Sequence, residues 1–233
     1  MLGLLVILLI SWGLLFLFEK KNLKVLGLVP TATRLSQYAT GFLLMILILL
    51  SLIGIETYVK SIQWQQQAID FTTLGNAFIY HLRSALTEDL VFRGALLYIL
   101  IRRLGPKWAI WISALVFGCY HIFSYGITHE RPIVLIYVTV VTGFAGYVWA
   151  LAFHKTKSIY LGLGFHVGYN LLMSCFYESQ PYGEILFSEL SRVELSESAE
   201  SWYSIFRGLY PPFLNLIALL VLLKLGVWKQ AEE

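Results

Sequence analysis

The sequence predicts an all-α fold, a polytopic membrane bundle of about seven transmembrane helices around a buried polar site. Three observations carry this expectation. Of the 233 residues, 58% are hydrophobic and the mean hydropathy is +0.71. Charged residues make up only 13% of the chain, about half the share usual in a soluble domain. The apolar residues also come in continuous runs, several long enough to cross ~30 Å of hydrocarbon, whereas the strands of a membrane barrel would alternate apolar with polar.

The first helix is read over 2–18. It opens Met1-Leu2-Gly3 without a basic region, and Glu19, Lys20 and Lys21 follow it. Those flanks are expected of a retained membrane helix rather than of a cleaved signal peptide. Helix two, over 38–59, carries Glu56 near its outer end, where an interfacial position is expected. Helix three, over 77–101, is the most polar, with His81, Arg83, Glu88, Asp89 and Arg93. Were it not to span, the later helices would change parity and the basic clusters would fall on both sides. Their clean alternation argues that it spans.

Helices four to six are read over 108–127, 132–153 and 158–177, and helix seven over 211–228. The connection 178–210 is long enough to suggest a functional or mobile segment. In it, Trp202, Tyr203, Ile205, Phe206 and Leu209 suggest a short interfacial helix. Gln63 to Gln67 with Trp64 suggest a similar surface segment before helix three. No internal repeat or low-complexity tract divides the chain, so residues 1–233 form one integral membrane domain, with the polar motifs in a core over 70–177.

Basic residues orient the bundle. Lys20, Lys21, Lys24 and Arg34 follow helix one, Arg102, Arg103 and Lys107 follow helix three, and Lys155 and Lys157 follow helix five. The 178–210 connection is acid-rich instead, with Glu178, Glu184, Glu189, Glu194, Glu197 and Glu200 against Arg192 and Arg207. The positive-inside rule therefore predicts a multi-pass protein of the plasma (inner) membrane. Its N-terminus is expected outside, its C-terminus in the cytoplasm and 178–210 outside the cytoplasm. Trp108, Trp111, Trp149 and Trp228 fall where a cytoplasmic aromatic belt is expected. A net charge of +3, clustered at helix ends, indicates topology and no nucleic-acid partner. Cys119 and Cys175 lie in apolar segments and read as small hydrophobes.

Three polar sets interrupt the greasy helices: Glu88-Asp89 with Arg93, Phe117 with His121, and His166 with Asn170. Ionisable groups in hydrocarbon cost a few kcal/mol each, so a functional role is the default expectation. Counted along their helices at 1.5 Å per residue, Glu88, His121, His166 and Asn170 all lie within ~12–20 Å of the cytoplasmic face. Asp89 and Arg93 are four apart and share a face, as an intrahelical ion pair requires. His166 and Asn170 are also four apart, while Glu88 points about 100° away from Asp89 toward other helices. Gly162, Gly164 and Gly168 permit close helix packing beside His166. Elsewhere, His81 and Arg83 are expected at the interface, His129 in solvent, and His154 snorkelling beside Lys155 and Lys157.

These motifs resemble the CPBP, or Abi, intramembrane proteases, a family that includes the Ras-converting CAAX prenyl endopeptidase. The family pattern is Glu-Glu-x-x-x-Arg, then Phe-x-x-x-His, then His-x-x-x-Asn or Asp, on successive transmembrane helices. This chain reads Glu88-Asp89-Leu90-Val91-Phe92-Arg93-Gly94, Phe117-Gly118-Cys119-Tyr120-His121 and His166-Val167-Gly168-Tyr169-Asn170. The likeness covers residues 70–177. Asp89 stands where the family has a second glutamate.

The resemblance implies an endopeptidase cutting a peptide bond near the cytoplasmic leaflet. In that reading Glu88 and His121 hold and activate the water, His166 and Asn170 stabilise the oxyanion, and Arg93 organises the acidic pair. Glu88, His121 and His166 also make up a His₂-carboxylate donor set for a zinc-like divalent metal. The chain has no His-Glu-x-x-His signature, so reactions with and without a metal both stay open. The implied partners are membrane lipid and a peptide, prenylated or membrane-protein substrate, with the oligomeric state undetermined. Two other classes compete: a non-catalytic immunity or scaffolding protein of the same fold, and a small transporter using the same ionisable groups.

Overall fold

In hydrocarbon, a continuous apolar segment satisfies its backbone polar groups only by coiling into a helix. The computed structural model, which describes residues 2–228, accordingly consists of helices with one small strand pair. Met1 and residues 229–233, which the single-domain reading includes, lie outside the described residues. The order is α1 (Leu2–Glu19), a 3₁₀ turn (Leu23–Leu26), α2 (Ala32–Val59), β1 (Gln63–Gln66), α3 (Phe71–Arg93) and α4 (Ala95–Leu104). It continues with α5 (Pro106–Ser124), α6 (Pro132–Thr156), α7 (Tyr160–Phe176), β2 (Phe187–Ser191) and α8 (Glu197–Lys224). By length and composition, α1, α2, α6 and α8 are apolar enough to cross a membrane. Their outward residues, such as Leu9, Leu43, Leu47 and Ile133, are exposed, as lipid-facing side chains should be.

Local signals set the helix starts. Thr31 accepts from the Arg34 amide at 3.3 Å and Asp70 from the Thr72 amide at 2.9 Å, while Pro106 and Pro132 open α5 and α6. The Thr73 hydroxyl and the Thr72 amide hold the Asp70 carboxyl below its usual range.

The expected helix over 77–101 is two helices, α3 and α4, divided at Gly94. A Cβ there would stand 2.1 Å from the Leu90 carbonyl oxygen, so the chain turns out of the α conformation at a position only glycine tolerates. The Ser113 hydroxyl of α5 donates to the Phe92 carbonyl at 2.9 Å, satisfying one of the acceptors that a helix end exposes.

The 178–210 connection is more ordered than its length suggests. β2 pairs antiparallel with β1, bringing Gln66 opposite Phe187 and Trp64 opposite Glu189. Both the polar 63–67 segment and the acidic connection thus contribute a strand. The interfacial helix expected around Trp202 to Leu209 is the first half of α8, which begins at Glu197 and runs through Pro211 and Pro212.

Two helix pairs make the most extensive contacts, α2 with α7 and α5 with α6. Gly164 faces the Tyr38 carbonyl and Gly41 the Leu161 carbonyl, at distances where a Cβ would collide. Such small-residue contacts let backbones meet where lipid supplies no hydrophobic drive.

Candidate functional site

Arg93 ends α3 and is 2% exposed. Its Nη1 donates to Asp89 Oδ1 at 2.6 Å, one turn earlier on the same face, as the spacing predicts. The guanidinium Cζ lies 3.8 Å from the Phe117 ring centroid and 4.8 Å from that of Trp149, a cation–π cage in a desolvated setting. Gly146 of α6 makes room for it: a Cβ there would lie 2.8 Å from Phe117 Cδ1 and 3.3 Å from Arg93 Nη2. Trp149, expected in the aromatic belt, is therefore buried. Its ring also stacks on His166, with centroids 4.5 Å apart. An indole is as useful against a buried cation as at a membrane surface, and hydropathy cannot tell the two apart.

Glu88 is rotated away from Asp89 toward α5 and α7. Its Oε2 lies 3.9 Å from His121 Nε2 and 3.7 Å from His166 Nε2. That oxygen is buried and has no hydrogen-bond partner. The far side of each imidazole is anchored. His121 Nδ1 sits 2.8 Å from the Phe117 carbonyl, an acceptor only, so Nδ1 carries the proton and Nε2 a lone pair. His166 Nδ1 faces Asp89 Oδ1 at 3.4 Å. Asp89 thus serves two partners, Arg93 and His166, through one oxygen.

Asn170 lies one turn beyond His166 and lines, with His121, His166 and Trp149, a cavity of about 90 Å³. Tyr169 and Tyr125 border it too, and α8 contributes Pro211, Pro212 and Asn215. Glu88, His121, His166 and Asp89 therefore meet through their side chains, and Asn170 joins the two histidines across the cavity. The depth count relied on an unbroken third helix. The groups converge even though α3 stops at Arg93.

The donor chemistry of Glu88, His121 and His166 suits a metal, but the spacing does not. Ligands at 2.0–2.1 Å in a tetrahedron lie about 3.3 Å from one another, and both carboxylate–imidazole separations here are wider. Among the described residues, no group of three His, Cys, Asp or Glu side chains is placed to hold a metal ion.

Two residues expected at the interface are buried instead. His81 is 2% exposed and packs edge-on to Tyr80. Glu56 is also 2% exposed; it accepts from the Tyr177 hydroxyl at 2.6 Å and pairs with Arg207 at 3.3 Å and Lys60 at 3.8 Å. The sequence reading stopped at nearness to a helix end, and it could not see that α8 and the strand pair extend the protein over that end. It also missed Asn215, although a lone amide beside two prolines in an apolar run is the same kind of signal that singled out Asn170.

Residues 70–172 match a protein-family model described as Type II CAAX prenyl endopeptidase Rce1-like. The matched span holds every member of the polar site from Glu88 to Asn170 and stops short of α8. No curated protein and no solved structure matches the chain.

Proposed function

We propose, from the match of residues 70–172 to the Rce1-like model of CAAX prenyl endopeptidases, that this membrane protein hydrolyses a peptide bond by a water activated between Glu88 and His121. The observation that carries the reading is the buried, unbonded Oε2 of Glu88, faced by two imidazole Nε2 atoms within 3.9 Å. A separation of 3.9 Å between two acceptors suits a single water donating to both through bonds of about 2.8 Å.

The chemistry follows from the anchored rings. His121 Nε2 and Glu88 Oε2 each accept a hydrogen bond from the water, turning its oxygen lone pair toward a scissile carbonyl. As the oxygen attacks the carbonyl carbon, its proton passes to Glu88, which returns it to the departing amine. The carbonyl electrons move onto oxygen, and the Asn170 amide is the neutral donor for that charge. His166 donates from Nε2 only as an imidazolium, because Asp89 engages its Nδ1; Asp89 then stabilises the cation. Arg93 holds Asp89 in place through their 2.6 Å contact. Glu88, His121 and His166 are spaced too widely for a tetrahedral metal, and the water is activated by the side chains alone.

The orientation in this reading is N-terminus outside and C-terminus cytoplasmic in the plasma membrane, which puts cleavage near the cytoplasmic leaflet. The substrates are membrane-associated peptides or proteins, prenylated at a C-terminal cysteine motif in the CAAX case. Comparative membrane proteomics of cells with wild-type protein and Glu88→Gln tests both activity and substrate. Uncut precursors should accumulate in the variant, whereas continued cleavage by purified Glu88→Gln protein overturns the reading.

A further inference from the structure

Outside the matched segment, the cavity is walled by Met45 of α2 and by α8. Gly208, Pro211, Pro212 and Asn215 fall at i, i+3, i+4 and i+7 of α8, so a single face of that helix lines the cavity shared by His121 and His166. Pro211 and Pro212 carry no N–H, which leaves the Arg207 and Gly208 carbonyls without their usual helical donors. Farther along the same face, Asn215 is 1% exposed. Its Nδ2 donates only a 3.6 Å bond to Met45 Sδ, and its Oδ1 has no partner.

A buried amide oxygen left unbonded is costly, and replacing it with an apolar group of similar shape is close to neutral. A leucine would therefore sit better here than an asparagine, unless something that enters the cavity supplies a donor. The donor a peptidase receives in its site is the backbone N–H of its substrate. We infer that Asn215 is a substrate-binding residue whose Oδ1 accepts a backbone N–H next to the bond being cut. This rests on the endopeptidase reading above. The contact forms when the peptide binds and persists in the transition state, so its loss appears in KM and not in kcat.

The test uses the full-length protein in detergent and a fluorogenic, S-farnesylated peptide ending in a Cys-aliphatic-aliphatic-X sequence. Asn215→Leu should raise KM about tenfold with kcat nearly unchanged. Its thermal midpoint should hold or rise, because an unpaired oxygen has gone; a purely structural asparagine would lower it. A second arm replaces each amide flanking the cleaved bond by an ester, removing one N–H without adding bulk. One such ester should raise the wild-type KM about tenfold and leave that of Asn215→Leu unaffected.

Equal ester penalties in both proteins, or an unchanged KM in Asn215→Leu, overturn the assignment while the endopeptidase reading stands. If the wild-type protein neither binds nor cuts the peptide, the CAAX-type reading fails and this inference fails with it.

Discussion

Arg93 lies face-on to Phe117, its guanidinium Cζ 3.8 Å from the ring centroid, and donates at 2.6 Å to Asp89 one turn back. Both partners of this ion pair are 2% exposed or less. Burying two charges is offset only while both are present, and removing one leaves the other uncompensated at a cost of about 3–5 kcal/mol. Arg93→Met should therefore lower the thermal midpoint sharply. Arg93→Met with Asp89→Asn should recover much of that loss without recovering activity, because His166 then lacks its carboxylate. Unfolding curves in detergent with parallel cleavage assays separate the two effects. Equal stability of the single and double variants would argue against the pair.

Asp89, which stands where the family that the motifs resemble has a second glutamate, makes a second case. Here one short carboxylate reaches Arg93 and His166 through the same oxygen. Asp89→Glu inserts a methylene into a packed interior, which typically costs about 1–3 kcal/mol. The expected result is reduced stability and a displaced His166, read as a drop in kcat. Improved activity in Asp89→Glu would mean that the shorter side chain is a local compromise.

Metal removal discriminates the two chemistries that the sequence left open. The Glu88–imidazole separations exceed those of a tetrahedral ligand set, so dialysis against a chelator should leave wild-type cleavage intact. Loss of activity that zinc restores would replace the bridging-water scheme with a metal-bound one, held by Glu88, His121 and His166.

Much of this architecture was legible because hydrocarbon makes polar residues conspicuous. Glu88, His121, His166 and Asn170 stood out against apolar helices, and helical spacing alone paired Asp89 with Arg93. The break at Gly94 was hidden, since hydropathy runs on through Ala95 to Ile101 and only the collision with the Leu90 carbonyl reveals it. Trp149 and Glu56 were misplaced for a shared reason. Position along a helix gives depth, but burial also depends on which neighbouring element covers that face. α6 turns Trp149 onto Arg93, and α8 extends over Glu56.

Gly94 should be as sensitive as a site residue although it bears no chemistry. A methyl group there meets the Leu90 carbonyl at 2.1 Å, so Gly94→Ala forces the α3 end to shift, carrying Arg93 with it. The expected outcome is lower folded yield and weaker cleavage in the folded fraction. Gly75, where nothing lies within 4 Å of an added Cβ, provides the control: Gly75→Ala should be silent or mildly stabilising, since alanine is favoured by about 1 kcal/mol inside a helix.

Glu56 is the last test, because it sits away from the polar cavity and yet connects to it through α8. Its carboxylate joins Lys60 of the α2 end to Arg207 of α8 and receives the Tyr177 hydroxyl. Lys60 has a second partner in Glu200 at 2.7 Å, so neutralising Glu56 leaves Arg207 as the ion most affected. Arg207 remains partly open to solvent, which puts the cost of Glu56→Gln toward the lower end of the roughly 3–5 kcal/mol for a broken buried pair. Arg207 immediately precedes Gly208 and the Pro211–Pro212 face that walls the cavity. Loosening that anchor should lower the thermal midpoint and raise KM together, whereas a variant at the exposed Glu189–Arg192 pair should change neither. A Glu56→Gln protein with wild-type stability and KM would show that α8 is held against the cavity by its apolar packing alone.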